Sequence, residues 1–258
     1  MNLNIPDTRQ QVLAERLARG QQIVASDVAG EFGVSLDTIR RDILALEADG
    51  HAQRVRGGAV PIARPAPPLH MRLAKGGGIN PGLTALAVAQ IADASTLLLD
   101  GGTTTLSLIS QLPPRDGRLI MTPSPWIAIA CQECDIPVFV LGGKLSTSGG
   151  ITTGEFAREK ISAVAADVAV LGACGLDCEF GLSSDDDAEA RMKQAMQAAA
   201  ARTIVVTDHE KLGRRARHHT LSLAQIDLLV TDASPAQVAP LAQAGLQFAL
   251  ARPGSGAS

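Results

Sequence analysis

Apolar positions near the N-terminus recur at helical spacing. Leu36, Ile39, Ile43 and Leu46 fall on one side of a helix that Ser35 can cap and Gly50 can end, which predicts a buried face between Val34 and Gly50. At about 100° per residue the opposite side carries Asp37, Thr38, Arg41, Ala45 and Ala48, so a hydroxyl and a guanidinium stand near the N-terminal end. Just upstream, Ser26 can cap a short helix from about Asp27 to Phe32 that Gly33 breaks. Asp7 and Thr8 can cap a first helix in which Val12, Leu13, Arg16 and Leu17 keep helical spacing up to Gly20. Past Gly50 the segment HAQRVRGGAV alternates loosely and turns at Gly57-Gly58, as a two-stranded wing would.

The pattern changes after Pro61. The stretches ARPAPP and KGGG mix stiff and flexible linker chemistry up to about Gly78. Beyond it short apolar runs alternate with helical stretches: TLLLD and a helix to about Leu112, RLIMT and a helix from about Pro125, IPVFVLGG and a helix from Glu155 to Ala165. DVAVLGA, a long helix from about Asp187 to Ala201, TIVVTD, IDLLVTD, a short helix and LQFAL complete the series. This alternation predicts an α/β domain with a mostly parallel sheet covered by helices. The expected organisation is an α+β unit of winged helix-turn-helix type over 1–60, a linker over 61–78, the α/β domain over 79–251 and a disordered tail over 252–258.

In a helix-turn-helix the N-terminal end of the second helix enters the major groove. Thr38 and Arg41 stand at that end, where an Arg can be bidentate to guanine or clamp a phosphate, and Arg54 and Arg56 would run along the backbone. The same residues also fit a solvated αα-hairpin and a solvated β-hairpin. Charge is not decisive, because the chain carries a formal net of -3 and residues 1–60 hold seven Arg against eight Asp and Glu, a net of -1. The field that recruits phosphates is local, and Arg40, Arg41, Arg54 and Arg56 cluster in one stretch.

Composition narrows the other classes. Aromatics at 2% with no Tyr argue against stacking on single-stranded RNA or on sugar rings. No stretch has the layout of a signal peptide and no apolar run approaches the roughly 18 residues of a membrane span, so a cytoplasmic protein is expected. Cys131-x2-Cys134 and Cys174-x3-Cys178 lie 39 residues apart, whereas the pairs of a zinc ribbon lie about 15 to 20 apart. Reduced thiols and no metal are expected.

Ligands of open α/β sheets bind at the carboxyl ends of the strands, and there this chain places its small polar residues. In DGGTTT, Asp100 ends a strand, Gly101 and Gly102 let the backbone approach a ligand, and Thr103 to Thr105 open a helix whose N–H groups suit a phosphate. The other loops are Thr122, Gly142-Gly143-Lys144, GGITTGE from Gly149 to Glu155, GACGLD from Gly172 to Asp177 and DHEKLG from Asp208 to Gly213. Glu189 and Lys193, four apart, share a helix face. Lysines suit a phosphate, and carboxylates suit sugar hydroxyls. With neither GxGxxG nor GxxxxGK[ST] in the chain, no nucleotide cofactor is expected.

The stretch VSLDTIRRDILALEADGHAQRVRGGAV resembles the N-terminal signature of the DeoR family of bacterial transcriptional regulators, which place a winged helix-turn-helix ahead of a sugar-phosphate sensing domain. Arg56 precedes the paired glycines where members usually have His. The similarity continues from Leu97 to about Ala216. The family pattern D-x-GTT is matched by Asp100, Gly102, Thr103 and Thr104, and GG-x-L by Gly142, Gly143 and Leu145, with a GE pair at Gly154 and Glu155. EA-x-x-K-x-A-M is matched by Glu189, Ala190, Lys193, Ala195 and Met196, and DH-x-K-x-G by Asp208, His209, Lys211 and Gly213. Pro123 follows Thr122 where the family tends to have Asn.

The resemblance implies a second domain with a fold like ribose-5-phosphate isomerase and a repressor of a carbohydrate-metabolism operon, switched by a phosphorylated sugar. Its partners would be double-stranded operator DNA and further copies of itself, in a homodimer or homotetramer. The expected DNA contacts are Ser35, Asp37, Thr38, Arg40, Arg41, Arg54 and Arg56. The expected effector contacts are Asp100, Gly101, Gly102, Thr103, Thr104, Thr122, Gly142, Gly143, Lys144, Gly154, Glu155, Gly175, Glu189, Lys193, Asp208 and Lys211. Two alternatives use the same residues. One is a sugar-phosphate isomerase with Asp100, Glu155, Glu189 or Asp208 as general base, and the other is an activator.

Overall fold

The structure, a computed structural model, describes residues 3, 5–18, 21–61, 67–75 and 78–251. The expected tail over 252–258 and linker positions 62–66 and 76–77 lie outside the described residues.

The N-terminal unit runs α1 (Pro6–Ala18), β1 (Ile23–Val24), α2 (Ala25–Phe32), α3 (Leu36–Ala48), β2 (Ala52–Val55) and β3 (Gly58–Pro61). Leu13, Leu17, Val28, Phe32, Ile39, Ile43 and Leu46 meet in one core, closed on the other side by Ile23 and Ala59 of the small sheet β1-β3-β2. Ser35 caps α3 as its sequence predicts, accepting the Thr38 N–H at 3.1 Å. Strand β1, two residues long, is too short to leave a periodic signal and pairs antiparallel with β3.

Three details differ from the sequence expectation. Helix α2 opens at Ala25, two residues early, with no side-chain cap. There the Ala25 N–H donates to the Gly57 carbonyl at 2.8 Å, so the wing turn satisfies the helix end, and Ser26 instead donates to the Asp27 carboxylate. The wing register Val55↔Gly58 makes Arg56-Gly57 the turn, with Gly57 at φ 89°, while Gly58 already belongs to β3. Leu36, expected on the buried side, is 38% exposed at the open end of α3.

The inward face of α3 holds a charge that periodicity had not marked. Asp42 is 2% exposed and faces Arg9 of α1, 3% exposed. The Arg9 Nε donates to Asp42 Oδ2, its second nitrogen donates to Oδ1 at 3.0 Å, and Gln10 donates to the same Oδ1 at 3.0 Å. This fork-to-fork contact fixes the angle of α3 on α1 more specifically than apolar packing would.

Of the second unit, α4 (Leu69–Ala74) and α5 (Pro81–Ile91) come first, then β4 (Thr96–Leu99), α6 (Thr103–Ser107), β5 (Leu119–Thr122), α7 (Pro125–Glu133) and β6 (Val138–Val140). A hairpin follows, β7 (Lys144–Leu145) with β8 (Thr152–Thr153), then α8 (Glu155–Ser162), β9 (Ala166–Leu171), β10 (Gly175–Asp177) and β11 (Gly181–Ser184). The last elements are α9 (Asp187–Ala198), β12 (Ala200–Thr207), β13 (His218–Leu221), β14 (Leu228–Thr231), α10 (Pro235–Gln243) and β15 (Phe248–Leu250). The seven apolar runs all become strands of one parallel sheet in the order β15-β14-β12-β9-β4-β5-β6. Strand residues alternate between two cores. Leu97, Leu99, Ile120, Val170, Ile204 and Val206 pack on the side of α5 and α7, while Leu98, Met121, Leu171, Val205 and Leu229 pack on the side of α8, α9 and α10.

The hairpin β7-β8 and the antiparallel sheet β10-β11-β13 are absent from the sequence expectation. Their strands are short and carry Gly, Ser, Thr, Asp and His in place of apolar runs, so no period distinguishes them from loops. From β4 the chain steps outward to β5 and β6 and then returns to β9 on the other flank. The direction of winding reverses between β4 and β9, which opens a crevice at their carboxyl ends.

Asp42→Ala leaves the Arg9 charge buried and unpaired and is expected to destabilise the N-terminal unit by about 3–5 kcal/mol. Chemical denaturation followed by circular dichroism measures this. A loss below about 1 kcal/mol would mean that the pair does not hold α3.

Candidate functional sites

Helix α3 and the wing enclose a groove of about 690 Å³. Asp37, Arg40, Arg41, Arg54 and Arg56 line it together with Leu36 and Leu44, so five of the seven residues expected to touch DNA share one concavity. Ser35 and Thr38 do not line it. Their hydroxyls lie 2.8 Å apart and are occupied in the helix cap. Arg41 pairs with Asp37 at 2.8 Å on the open surface, and Arg54 lies 3.5 Å from Glu47. Exposed pairs of this kind are worth about 0–1 kcal/mol, so a polyanion can exchange for either carboxylate at little cost. Among the described residues Arg40 and Arg56 have no carboxylate within ion-pair distance. The near-neutral formal charge of this unit therefore hides a face whose arginines are available.

The crevice between β4 and β9 deepens into a cavity of about 430 Å³. Its floor is an ion pair. The Lys193 ammonium donates to Asp100 Oδ2, with both side chains buried, and the same oxygen accepts the Gly172 N–H at 3.0 Å. Burial, the largest influence, favours a neutral amine at Lys193, but attraction to Asp100, with help from Cys174 and Glu189, outweighs it and holds the pKa above the ordinary lysine value. One turn earlier on α9, Glu189 Oε1 accepts from Ser146 Oγ (2.7 Å), the Gly149 N–H (3.0 Å) and Ser148 Oγ (3.3 Å). Around this floor stand the loop from Gly101 to Thr105, Asp208, Lys211, and His209 paired with Asp232 at 3.2 Å. Among the described residues no Phe, Tyr or Trp lines the cavity, which offers a ligand charges and hydrogen bonds.

Nine of the expected effector contacts meet in this cavity: Asp100, Gly101, Gly102, Thr103, Thr104, Glu189, Lys193, Asp208 and Lys211. Seven do not. Thr122 is fully buried, donating to the Leu99 carbonyl at 2.7 Å and accepting from Ser124 N–H, so it ties β5 to β4. Gly142 and Gly143 lead into the β7-β8 hairpin, where Gly143 packs against the Thr153 backbone, and Lys144 is exposed on that hairpin. Gly154 precedes α8 and Glu155 pairs with Arg158 along it, while Gly175 lies in β10 against the Arg214 carbonyl. The matching motif residues lie toward the β6 edge or in the added antiparallel sheet, away from the crevice.

The cavity also contains residues that the sequence reading left out. Gly149 and Cys174 belong to loops already singled out, but Arg72 and Lys75 come from the stretch whose composition marks it as linker. Nothing in that composition distinguishes a docked helix from a free connector. Burial raises the Cys174 thiol, against the opposing pull of Lys193. Cys131, on the inner face of α7, is pushed up to about 12, first by burial and then by Cys134. Among the described residues no group of three or more His, Cys, Asp or Glu is gathered to hold a metal.

Comparison with known proteins gives concordant matches. Residues 9–64 match the DeoR-like helix-turn-helix domain, and residues 83–233 match the DeoR C terminal sensor domain. The HTH-type transcriptional regulator GlpR of Haloferax volcanii is 32% identical, over 88% of this chain and 90% of that one. The glycerol-3-phosphate regulon repressor of Escherichia coli is 29% identical over 88% and 91%, and the HTH-type transcriptional repressor GlcR of Bacillus subtilis is 27% identical over 90% of each chain. Among solved structures, a D-ribose-5-phosphate isomerase in complex with phospho-erythronic acid matches 52% of this chain and 55% of its own, at 22% identity and a TM-score of 0.37.

Because the Lys193 pKa is raised, the pair contributes in full below the ordinary lysine pKa of about 10.4 and is lost as pH climbs through the higher folded value. The stability difference between the parent and Lys193→Met, whose side chain does not titrate, is expected to stay flat from about pH 7 to 9. Above about pH 10.4 the parent should lose ground. Denaturation across this range checks it, and a slope between pH 7 and 9 would mean a lowered pKa.

Proposed function

The chain belongs to the DeoR family of transcriptional regulators, and on that premise we propose that it is a DNA-binding repressor of a carbohydrate-metabolism operon whose grip on its operator is switched by a phosphorylated sugar. The observation that carries the reading is the presence in one chain of an arginine-lined groove beside α3 and a polar cavity floored by the Lys193–Asp100 pair. In the groove Arg40 and Arg41 face the bases, and Arg54 and Arg56 follow the phosphates. In the cavity Asp100, Glu189 and Asp208 accept from sugar hydroxyls, and Lys211 belongs to the phosphate side. For a tenfold change in operator affinity the effector must favour one arrangement of the protein by about 1.4 kcal/mol.

Assembly follows from the same reading, because operators read by such units are paired half-sites. The sheet ends at β6, an unpaired edge, and exposed apolar side chains gather on and beside it: Trp126 and Ile129 on α7, Phe139 and Val140 on β6, and Leu145 on β7. An edge of this kind invites pairing with a second copy, which supports a homodimer or homotetramer. Among the described residues no helix is long and apolar enough to cross a membrane, in keeping with a cytoplasmic regulator.

The isomerase alternative needs a carboxylate free to take a proton from carbon. Asp100 is committed to Lys193 and Gly172, Glu189 to three donors, and Glu155 to Arg158 outside the cavity. Three of the four candidate bases are thereby taken up, which favours a binding site, and Asp208, which lines the cavity and accepts the Glu210 N–H at 2.9 Å, is the carboxylate an isomerase would use.

Fluorescence anisotropy on the DNA upstream of the protein's own gene, with salt and then sugar phosphates titrated in, tests the reading. Specific binding released by one compound is expected, with two or more copies per operator by sedimentation. Arg56→Ala should weaken all sequences alike and lower the salt slope by about one, whereas Arg41→Ala should cost about 1–3 kcal/mol and relax specificity. No specific DNA binding under any salt condition would contradict the reading and give the isomerase assay priority.

A further inference from the structure

The segment between the two units does not simply connect them. Helix α4 lies against the loop that walls the cavity, where Leu69 is 1% exposed and its N–H donates to the Ser148 carbonyl at 3.0 Å. The seat is specific to it. Gly150 stands at φ +67°, and a Cβ there would come within 2.4 Å of the Leu69 side chain. The loop in turn is shaped by the cavity, since Ser146, Ser148 and Gly149 all donate to Glu189.

Charge divides the cavity into two ends. On the buried floor Lys193 is neutralised by Asp100, and Glu189 stands one turn away, so a phosphate dianion is repelled there. The remaining cationic side chains are Lys211, which shares its loop with Asp208 and Glu210, and Arg72 and Lys75, which α4 and its C-terminal end bring in without a carboxylate of their own. Among the described residues none of the three has a carboxylate within ion-pair distance, and Arg72 donates through Nε only to the Pro67 carbonyl at 3.0 Å.

We propose that α4 forms part of the ligand site, with Arg72 and Lys75 taking the phosphate group while the hydroxyl end lies toward Asp100 and Glu189. The inference rests on the sugar-phosphate reading above and adds its means of transmission. A ligand shifts an equilibrium only through unequal affinity for its two states, and cations carried on α4 supply that inequality. Ligand binding holds α4 on the Ser146–Gly150 loop and thereby fixes where the chain enters the second unit. Effects on operator binding then need no displacement of the sheet.

The test uses the full chain and calorimetry with glycerol 3-phosphate, glucose 6-phosphate, fructose 6-phosphate and ribose 5-phosphate, each beside its unphosphorylated counterpart and inorganic phosphate. For whichever compound the parent binds, the double variant Arg72→Ala with Lys75→Ala is expected to lose at least tenfold in affinity for the phosphorylated form and little for the other. In the unmodified protein the same compound should slow hydrogen exchange of the amides from 69 to 75. Equal affinity in parent and double variant, or unchanged exchange in α4, overturns this inference while leaving the sugar-phosphate reading standing. If the parent binds none of the compounds, both fall together.

Discussion

A lysine and an aspartate buried against each other between two strands constrain most of the second unit. Asp100 directly follows β4, its N–H extends the pairing with β9, and its carboxylate gathers the Gly172 N–H and the Lys193 ammonium. One side chain thus joins two strands and α9 at the place where the winding of the sheet reverses. Such a pair is poor value as a stabiliser, since apolar replacements of similar volume commonly do as well, whereas removing one partner is costly. Under the proposed function the pair, opening onto the cavity, is there for what it recognises. Polar ligand groups can exchange with contacts that Asp100 and Lys193 already make, without exposing an unpaired charge.

The N-terminal unit uses a second buried pair for a different end. Arg9 and Asp42 line neither the groove nor the cavity and serve to set α3 on α1. The consequence appears on the opposite face, where Arg40 and Arg41 meet Arg54 and Arg56 across the groove. Contacts to bases tolerate little error in helix angle, so a directional pair inside supports recognition outside. Between the two units lies α4, attached through Leu69 to the loop organised by Glu189. The route from the cavity to α4 therefore passes through named contacts, and residues 62–66, which lead on from the winged unit, lie outside the described residues.

Much of this is legible in the amino-acid sequence. The helical spacing of Ile39, Ile43 and Leu46 and the cap at Ser35 located α3, and the seven apolar runs located the parallel sheet, because burial on both faces leaves a continuous apolar signature. The cavity was legible where motif and topology agreed, at Asp100 to Thr104, Glu189, Lys193, Asp208 and Lys211. It was not legible where a motif serves the backbone. Gly143 and Gly154 shape a hairpin and a helix start, and Thr122 spends its hydroxyl on the Leu99 carbonyl. Arg72 and Lys75 left no signal because docking depends on what lies across from them in space. Asp42 was hidden for the same reason, its partner being 33 residues away.

In a repressor switched by a sugar phosphate the cavity and the groove are energetically linked, and linkage is reciprocal. The affinity of the releasing sugar phosphate should be measured on the free protein and again on the saturated operator complex. The ligand is expected to bind the complex more weakly, by the same factor as it lowers operator affinity. Equal ligand affinity in both states, alongside release of DNA, would mean that the compound acts elsewhere than through this cavity.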